Sequence, residues 1–159
     1  MFGQLFSPFE LFYSEEVSEL TALSGGAAEG ELLGGNLSLI RSSIGTKFEL
    51  DVKGKILLIE DIDEEPYQVD EMLNQLRMAR KFDEAAGIVI GDFKNAEPKK
   101  REKSLTLDQV FEHYFSGLQV PVVKGFKIGH CEPHFSVPLG ARAKLDADEM
   151  SLTILPGVK

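Results

Sequence analysis

An α/β fold is predicted: a layered domain of β/β/α type, with short buried parallel strands, crossover helices and an antiparallel C-terminal hairpin. Three observations predict it. Short apolar runs at Ile56-Leu57-Leu58-Ile59, Gly87 to Gly91 and Val120 to Lys124 lack the alternation of a half-exposed strand and suit strands covered on both faces. Helical spacing fills the intervals between them. Alternating segments flank Ala147-Asp148-Glu149 near the end of the chain, the pattern of a hairpin.

Taken in chain order, residues 1–30 read differently from the rest. Aromatics stand at Phe2, Phe6, Phe9, Phe12 and Tyr13, followed by an acidic stretch from Glu15 to Glu19 and then Ser24-Gly25-Gly26. The stretch is apolar but poorly periodic, and an exposed aromatic cluster favours a contact surface. Residues 1–30 are therefore expected to be an interdomain linker or docking segment, with the domain proper at 31–159. Gly34-Gly35-Asn36-Leu37-Ser38 is glycine-rich, but no Gly-Lys-Ser/Thr follows and no strand-loop-helix context is expected there, so it makes a weak phosphate loop. After the first apolar run, Pro66 precedes Val69, Met72, Leu73, Leu76 and Ala79, one helical face with proline at its first position. After the second run, Thr106 is placed to cap a helix carrying Leu107, Val110, Phe111, Tyr114 and Phe115, ended by Gly117. Strand, helix, strand, helix, strand implies parallel strands with right-handed crossovers.

Composition narrows the function classes. At 159 residues the chain has room for one well-cored domain. Seventeen Lys and Arg against 26 Asp and Glu give a formal charge of −9, which repels phosphate backbones, so no nucleic acid is expected as a partner. The basic cluster Lys99-Lys100-Arg101 with Lys103 reads as a solvated loop. No apolar run reaches the roughly 20 residues of a membrane span. The first six residues lack a basic region and an apolar core, so no export signal is expected. The single cysteine, Cys131, allows no intramolecular disulfide and suits a reducing, cytoplasmic setting.

Two places hold candidate chemistry. Glu60-Asp61-Ile62-Asp63-Glu64-Glu65 follows the first buried strand, and in open α/β sheets functional groups gather at strand carboxyl ends. Glu60 stands too early to cap the next helix, whereas Asp63, Glu64 and Glu65 suit capping. A metal reading would add Asp61 and Asp92 to Glu60. The second place is Gly129-His130-Cys131, in which glycine permits a close backbone approach and presents His130 just past a strand end. His113 falls within a helical pattern, His134 reads as surface, and Cys131 should point away from His130 in extended chain. No Gly-x-Ser-x-Gly turn is present; Ser24 and Ser42-Ser43 read as turns. The residues offer an acid and a base without a nucleophile.

Gly34-Gly35-Asn36-Leu37-Ser38-Leu39, Gly54 to Asp61, Pro66-Tyr67 with Asp70 and Met72-Leu73, Gly87 to Phe93, Pro121-Val122, Gly129-His130 and Pro138-Leu139-Gly140 occur in that order. Together they resemble the carboxyl-terminal domain of LD-carboxypeptidases, a family that includes the microcin C immunity peptidases. The resemblance implies a cofactor-free serine peptidase with a split Ser-Glu-His triad. Its serine would lie in an amino-terminal domain outside this chain, with Glu60 as triad acid and His130 as triad base. It further implies hydrolysis of an L,D-peptide bond releasing a terminal D-amino acid, as in murein tetrapeptide trimming, or of a peptidyl-nucleotide antibiotic. Homodimers are common in the family. Two positions depart from its pattern: Glu71 stands where Arg often follows Asp70, and Asp63 falls in a stretch commonly holding Gly. The alternative is a non-catalytic binding or assembly module on the same scaffold.

Overall fold

Apolar residues that do not alternate must be covered from both sides, and the centre of the sheet is built that way. The computed structural model describes residues 10–156, apart from 15, 17 and 100–102. Its strands are β1 (Leu11–Tyr13), β2 (Thr21–Ser24), β3 (Ala27–Asn36), β4 (Ile56–Ile62), β5 (Gly87–Lys94), β6 (Val122–Lys124), β7 (Arg142–Asp146) and β8 (Ser151–Ile154). The helices are α1 (Leu37–Ser43), α2 (Pro66–Met78), α3 (Lys81–Glu84) and α4 (Leu107–Phe115). The sheet order is β1-β8-β7-β3-β4-β5-β6-β2. Strands β3 to β6 run parallel, as the expected crossovers require; β7, β8 and β1 continue beyond β3 antiparallel, and β2 closes the far edge against β6. None of the helices described is long and apolar enough to cross a membrane.

Successive residues of a strand face opposite ways, and here each face has its own core. Leu57, Ile59, Ile88 and Ile90 pack with Leu37, Leu73, Leu76, Phe111 and Phe115 of the helices. Ile56, Leu58, Val89 and Val123 pack with Phe126, Ile128, Leu145, Leu152 and Ile154 on the other side. The helix starts follow the expected chemistry. Pro66 opens α2 behind Glu65, whose N–H donates to Gln68 Oε1 at 2.9 Å. Thr106 Oγ1 accepts from Gln109 N–H at 3.2 Å, and Gln109 Oε1 accepts from Thr106 N–H at 2.9 Å, a reciprocal capping box.

Several elements differ from the sequence reading. Strand β4 runs on through Ile62, so Glu60 and Asp61 lie inside it, held by pairing with β3 at Asn36 and with β5 at Phe93. Ser42 and Ser43 belong to α1, not to a turn, and donate to Leu39 O and Ile40 O at 2.8 Å. The Gly34 to Ser38 stretch passes from β3 directly into α1, a strand-to-helix junction. The boundary expected at residue 30 falls within β3, and β1 and β2 are paired to β8 and β6. Tyr13 is buried, edge-on to Phe135 at 5.8 Å, and Phe12 is exposed. Phe2, Phe6 and Phe9, like Lys100 and Arg101, lie outside the described residues.

Packing of α4 on α2 includes a polar lock. Tyr114 OH donates to Asp70 Oδ1 at 2.9 Å; burial, and then the carboxylate, push its pKa from 10.0 up to about 12. A raised folded-state pKa contributes stability that is complete below the unfolded value and lost as pH rises through the folded one. Urea midpoints measured from pH 9 upward should therefore fall more steeply through the pH range of about 10 to 12 in the unsubstituted protein than in Tyr114→Phe. Parallel curves would contradict this reading of the lock.

Candidate active site

The site begins with strand alternation. In β4, Glu60 follows Ile56 and Leu58 to one face, while Asp61 follows Leu57 and Ile59 towards the helices. Asp61 is thereby committed to structure. Its Oδ1 accepts from Asn36 Nδ2 at 2.8 Å and its Oδ2 from Ser38 N–H at 2.9 Å. Asn36 Oδ1 in turn caps α1 through Leu39 N–H at 3.2 Å. A buried carboxylate holding a helix N-terminus satisfies donors the helix cannot.

Next to Glu60 the sheet is irregular. The register between β4 and β5 shifts between Ile59 and Asp61, so that Gly91 and Asp92 together oppose Glu60, a bulge of the kind that re-aims side chains beside functional sites. The chain leaving β6 lies directly on this bulge. Asp92 N–H donates to Ile128 O at 2.8 Å, and a Cβ at Gly91 would stand 2.3 Å from that same oxygen. Gly129 follows with φ +131°, and a Cβ there would meet Glu60 Oε2 at 2.8 Å. Both glycines are thus required by the close approach.

The consequence is one short contact. His130 Nδ1 lies 2.7 Å from Glu60 Oε2, with the glutamate side chain 10% exposed and the imidazole 44% exposed. An ionised carboxylate only accepts, so Nδ1 carries the proton and the neutral ring bears its lone pair at Nε2. This is a base whose tautomer is set by its neighbour and whose working nitrogen is free to meet a substrate or a nucleophile. Beside it, Leu58, Glu60, Ile128, Gly129, His134 and Phe135 help line a shallow cavity of about 320 Å³.

The other candidates separate from this pair. Asp63 has φ +63° and accepts from Asn95 Nδ2 at 2.8 Å, while Glu65 alone of the three expected capping residues caps α2 and also accepts from Lys99 N–H at 2.9 Å. Glu64 is half-buried; desolvation, then Asp61 and Asp63, push its carboxyl up. With Asp61 turned to the helices, Glu60, Asp61 and Asp92 do not form a metal set, and among the described residues no three His, Cys, Asp or Glu converge on one. Cys131 lines a different cavity, with Asp92, Phe93 and Phe111. Burial, then Asp92, push its thiol up, away from nucleophilic thiolate. His113 rests edge-on to Tyr114 at 4.9 Å, His134 is exposed, and Ser24 Oγ donates to Leu118 O at 2.7 Å. The Asn36 to Asp61 link escaped the sequence reading; an Asn immediately before the apolar start of α1 is the signal that could have found it.

Residues 29–145 match the family model described as LD-carboxypeptidase C-terminal domain. The probable murein peptide carboxypeptidase of Bacillus subtilis (strain 168) is 55% identical over 157 residues, covering 99% of this chain and 49% of that relative. Microcin C7 self-immunity protein MccF of Escherichia coli is 29% identical over 133 residues, covering 81% of this chain and 37% of its own. Among solved structures, muramoyltetrapeptide carboxypeptidase from Oxalobacter formigenes matches with a TM-score of 0.80 at 28% identity, over 97% of this chain and 53% of that one. The chain spans about half the length of the curated relatives it matches.

Gly129→Ala places a methyl against Glu60 and an L side chain at φ +131°. It should abolish the downfield Nδ1–H proton resonance of His130 in cold-solution NMR, as Glu60→Ala should. Persistence of that resonance in both variants would show that Glu60 does not hold the ring.

Proposed function

The chain belongs to the LD-carboxypeptidase family, and from that premise we propose that it supplies the acid and the base of a Ser-Glu-His triad whose serine lies in a separate amino-terminal half. The observation that carries this reading is the 2.7 Å contact between His130 Nδ1 and Glu60 Oε2. On this reading residues 31–159 are the carboxyl-terminal domain of a serine peptidase, and residues 1–30 enter it from the side of the missing half. The proposed substrate is a murein peptide, after the printed names of the relatives, cleaved at an L,D-bond to free a terminal D-amino acid. The single cysteine suits a cytoplasmic site of action, and a homodimer is the proposed assembly.

The chemistry follows from the ring's orientation. His130 Nε2 removes the proton of the serine hydroxyl as it attacks the carbonyl, then returns it to the departing amine. Glu60 keeps the proton on Nδ1 and stabilises the imidazolium while it lasts. Without the serine-bearing half there is no nucleophile, so this chain alone should not turn over substrate.

Release of terminal D-alanine from an L,D-linked murein tetrapeptide, followed by mass spectrometry, tests the reading. Turnover should require the chain to be joined to a serine-bearing amino-terminal half. In that form His130→Ala and Glu60→Gln should each lower kcat by about 10³-fold or more, the scale set by triad disruption elsewhere. Normal turnover in His130→Ala would overturn the assignment, and activity in the chain alone would mean that the nucleophile lies here after all.

A further inference from the structure

Among the described residues, Asp92 Oδ2 is the buried side-chain oxygen left without a hydrogen-bond partner. Leaving such a group unpaired destabilises a fold, and in a native protein it calls for a reason. Its place supplies one. Asp92 sits in the bulge opposite Glu60, bonded through its N–H to Ile128 O at 2.8 Å, two residues before His130. The charged and titratable groups around it are Lys94 on its own strand, Glu60 on β4 beyond Gly91, and Lys127, His130 and Cys131 on the chain leaving β6.

We propose that Asp92 is a positioning residue for His130: a second carboxylate, beneath residues 126–131, whose charge stabilises the imidazolium formed when His130 takes up a proton. Glu60 and Asp92 thereby divide the work. Glu60 bonds the ring and sets its orientation, whereas Asp92 acts through space. Burial pushes the Asp92 carboxyl up, while Lys94 and then the charge of His130 draw it down. Coupling between two sites is reciprocal, so a carboxylate at 92 favours the proton on His130 to the same degree. The unpaired oxygen is then a cost of keeping this charge close to the ring rather than quenching it with a local donor.

The catalytic meaning rests on the reading of His130 as the general base, but the electrostatic pairing is measurable in this chain without turnover. Imidazole ¹H–¹⁵N spectra of the labelled protein, recorded across pH, follow His130 directly. In Asp92→Asn, proton uptake by His130 should move to lower pH by roughly 0.3 to 1 unit, the range of a nearby unbonded charge, and Asp92→Glu should restore at least half of that shift. Asp92→Ser removes the charge with a smaller side chain and serves if the Asn variant does not fold. An unchanged His130 titration in a folded, charge-removed variant would overturn the proposal.

With the serine-bearing half joined, the acid limb of the kcat/KM profile should move to lower pH by the same interval, and plateau kcat should fall several-fold. A fall in kcat with no displacement of the limb would make Asp92 merely structural, and so would also overturn the proposal. Absence of L,D-carboxypeptidase turnover in the unsubstituted joined form would tell against the peptidase reading instead, leaving the imidazole titration to decide the pairing.

Discussion

The site depends on one close approach: the backbone of residues 126–129 lies against the ends of β4 and β5 with no space for a Cβ at Gly91 or Gly129. Everything chemical follows from that contact. It brings Ile128 O within 2.8 Å of Asp92 N–H, which fixes the height of the chain above the sheet, and it turns the next residue but one, His130, onto Glu60. A single methyl group at either glycine would lift the loop by more than the tolerance of a 2.7 Å bond. Precision of this kind suits a base that must meet its partner in a fixed orientation.

Strand alternation explains how two adjacent carboxylates come to have unlike roles. Glu60 and Asp61 share one strand and one degree of burial, 8% and 2% exposed, yet they face opposite layers. Asp61 is saturated by Asn36, Ser38 and its own neighbour Ile62, and so anchors the start of α1. Glu60 meets a loop made of glycine and a histidine, and keeps its charge for the ring. A one-residue slip of β4 would exchange these roles and destroy both. The fully buried run Ile56 to Ile59, with a core on each side, is what makes such a slip prohibitive.

Much of this was legible beforehand, and the limits have physical causes. Continuous apolar runs marked β4 and β5, regular spacing marked α2 and α4, and alternation marked the β7 to β8 hairpin, because in each case burial dictates the pattern. Strand β3 did not announce itself: Ala27 to Asn36 holds three glycines, two alanines and no β-branched residue, and its strand state comes from pairing with β4 and β7 rather than from propensity. Strands β1 and β2 are three and four residues long, too short for any periodicity. At the site, Glu60 and His130 stood out as types at strand ends, but their meeting across 70 residues is a property of the crossover topology. Asp92 carried no local mark at all, since its surroundings exist only once the bulge and the loop have come together.

The acid and base are assembled within this one domain, and that has a consequence for how a split site works. The Glu60 to His130 contact forms between a strand end and a loop of the same rigid sheet, so its geometry owes nothing to an outside partner. A partner bearing the nucleophile would therefore meet a base already in the correct tautomer, with no side-chain ordering left to oppose association at that point. Only Nε2 and the cavity over Leu58, Ile128 and Phe135 would remain to be covered. Preorganisation on one side also places the demand for accuracy on the other: the serine must arrive within hydrogen-bond reach of a nitrogen that cannot move far to find it, because Gly91 and Gly129 leave the loop beneath it nowhere to go.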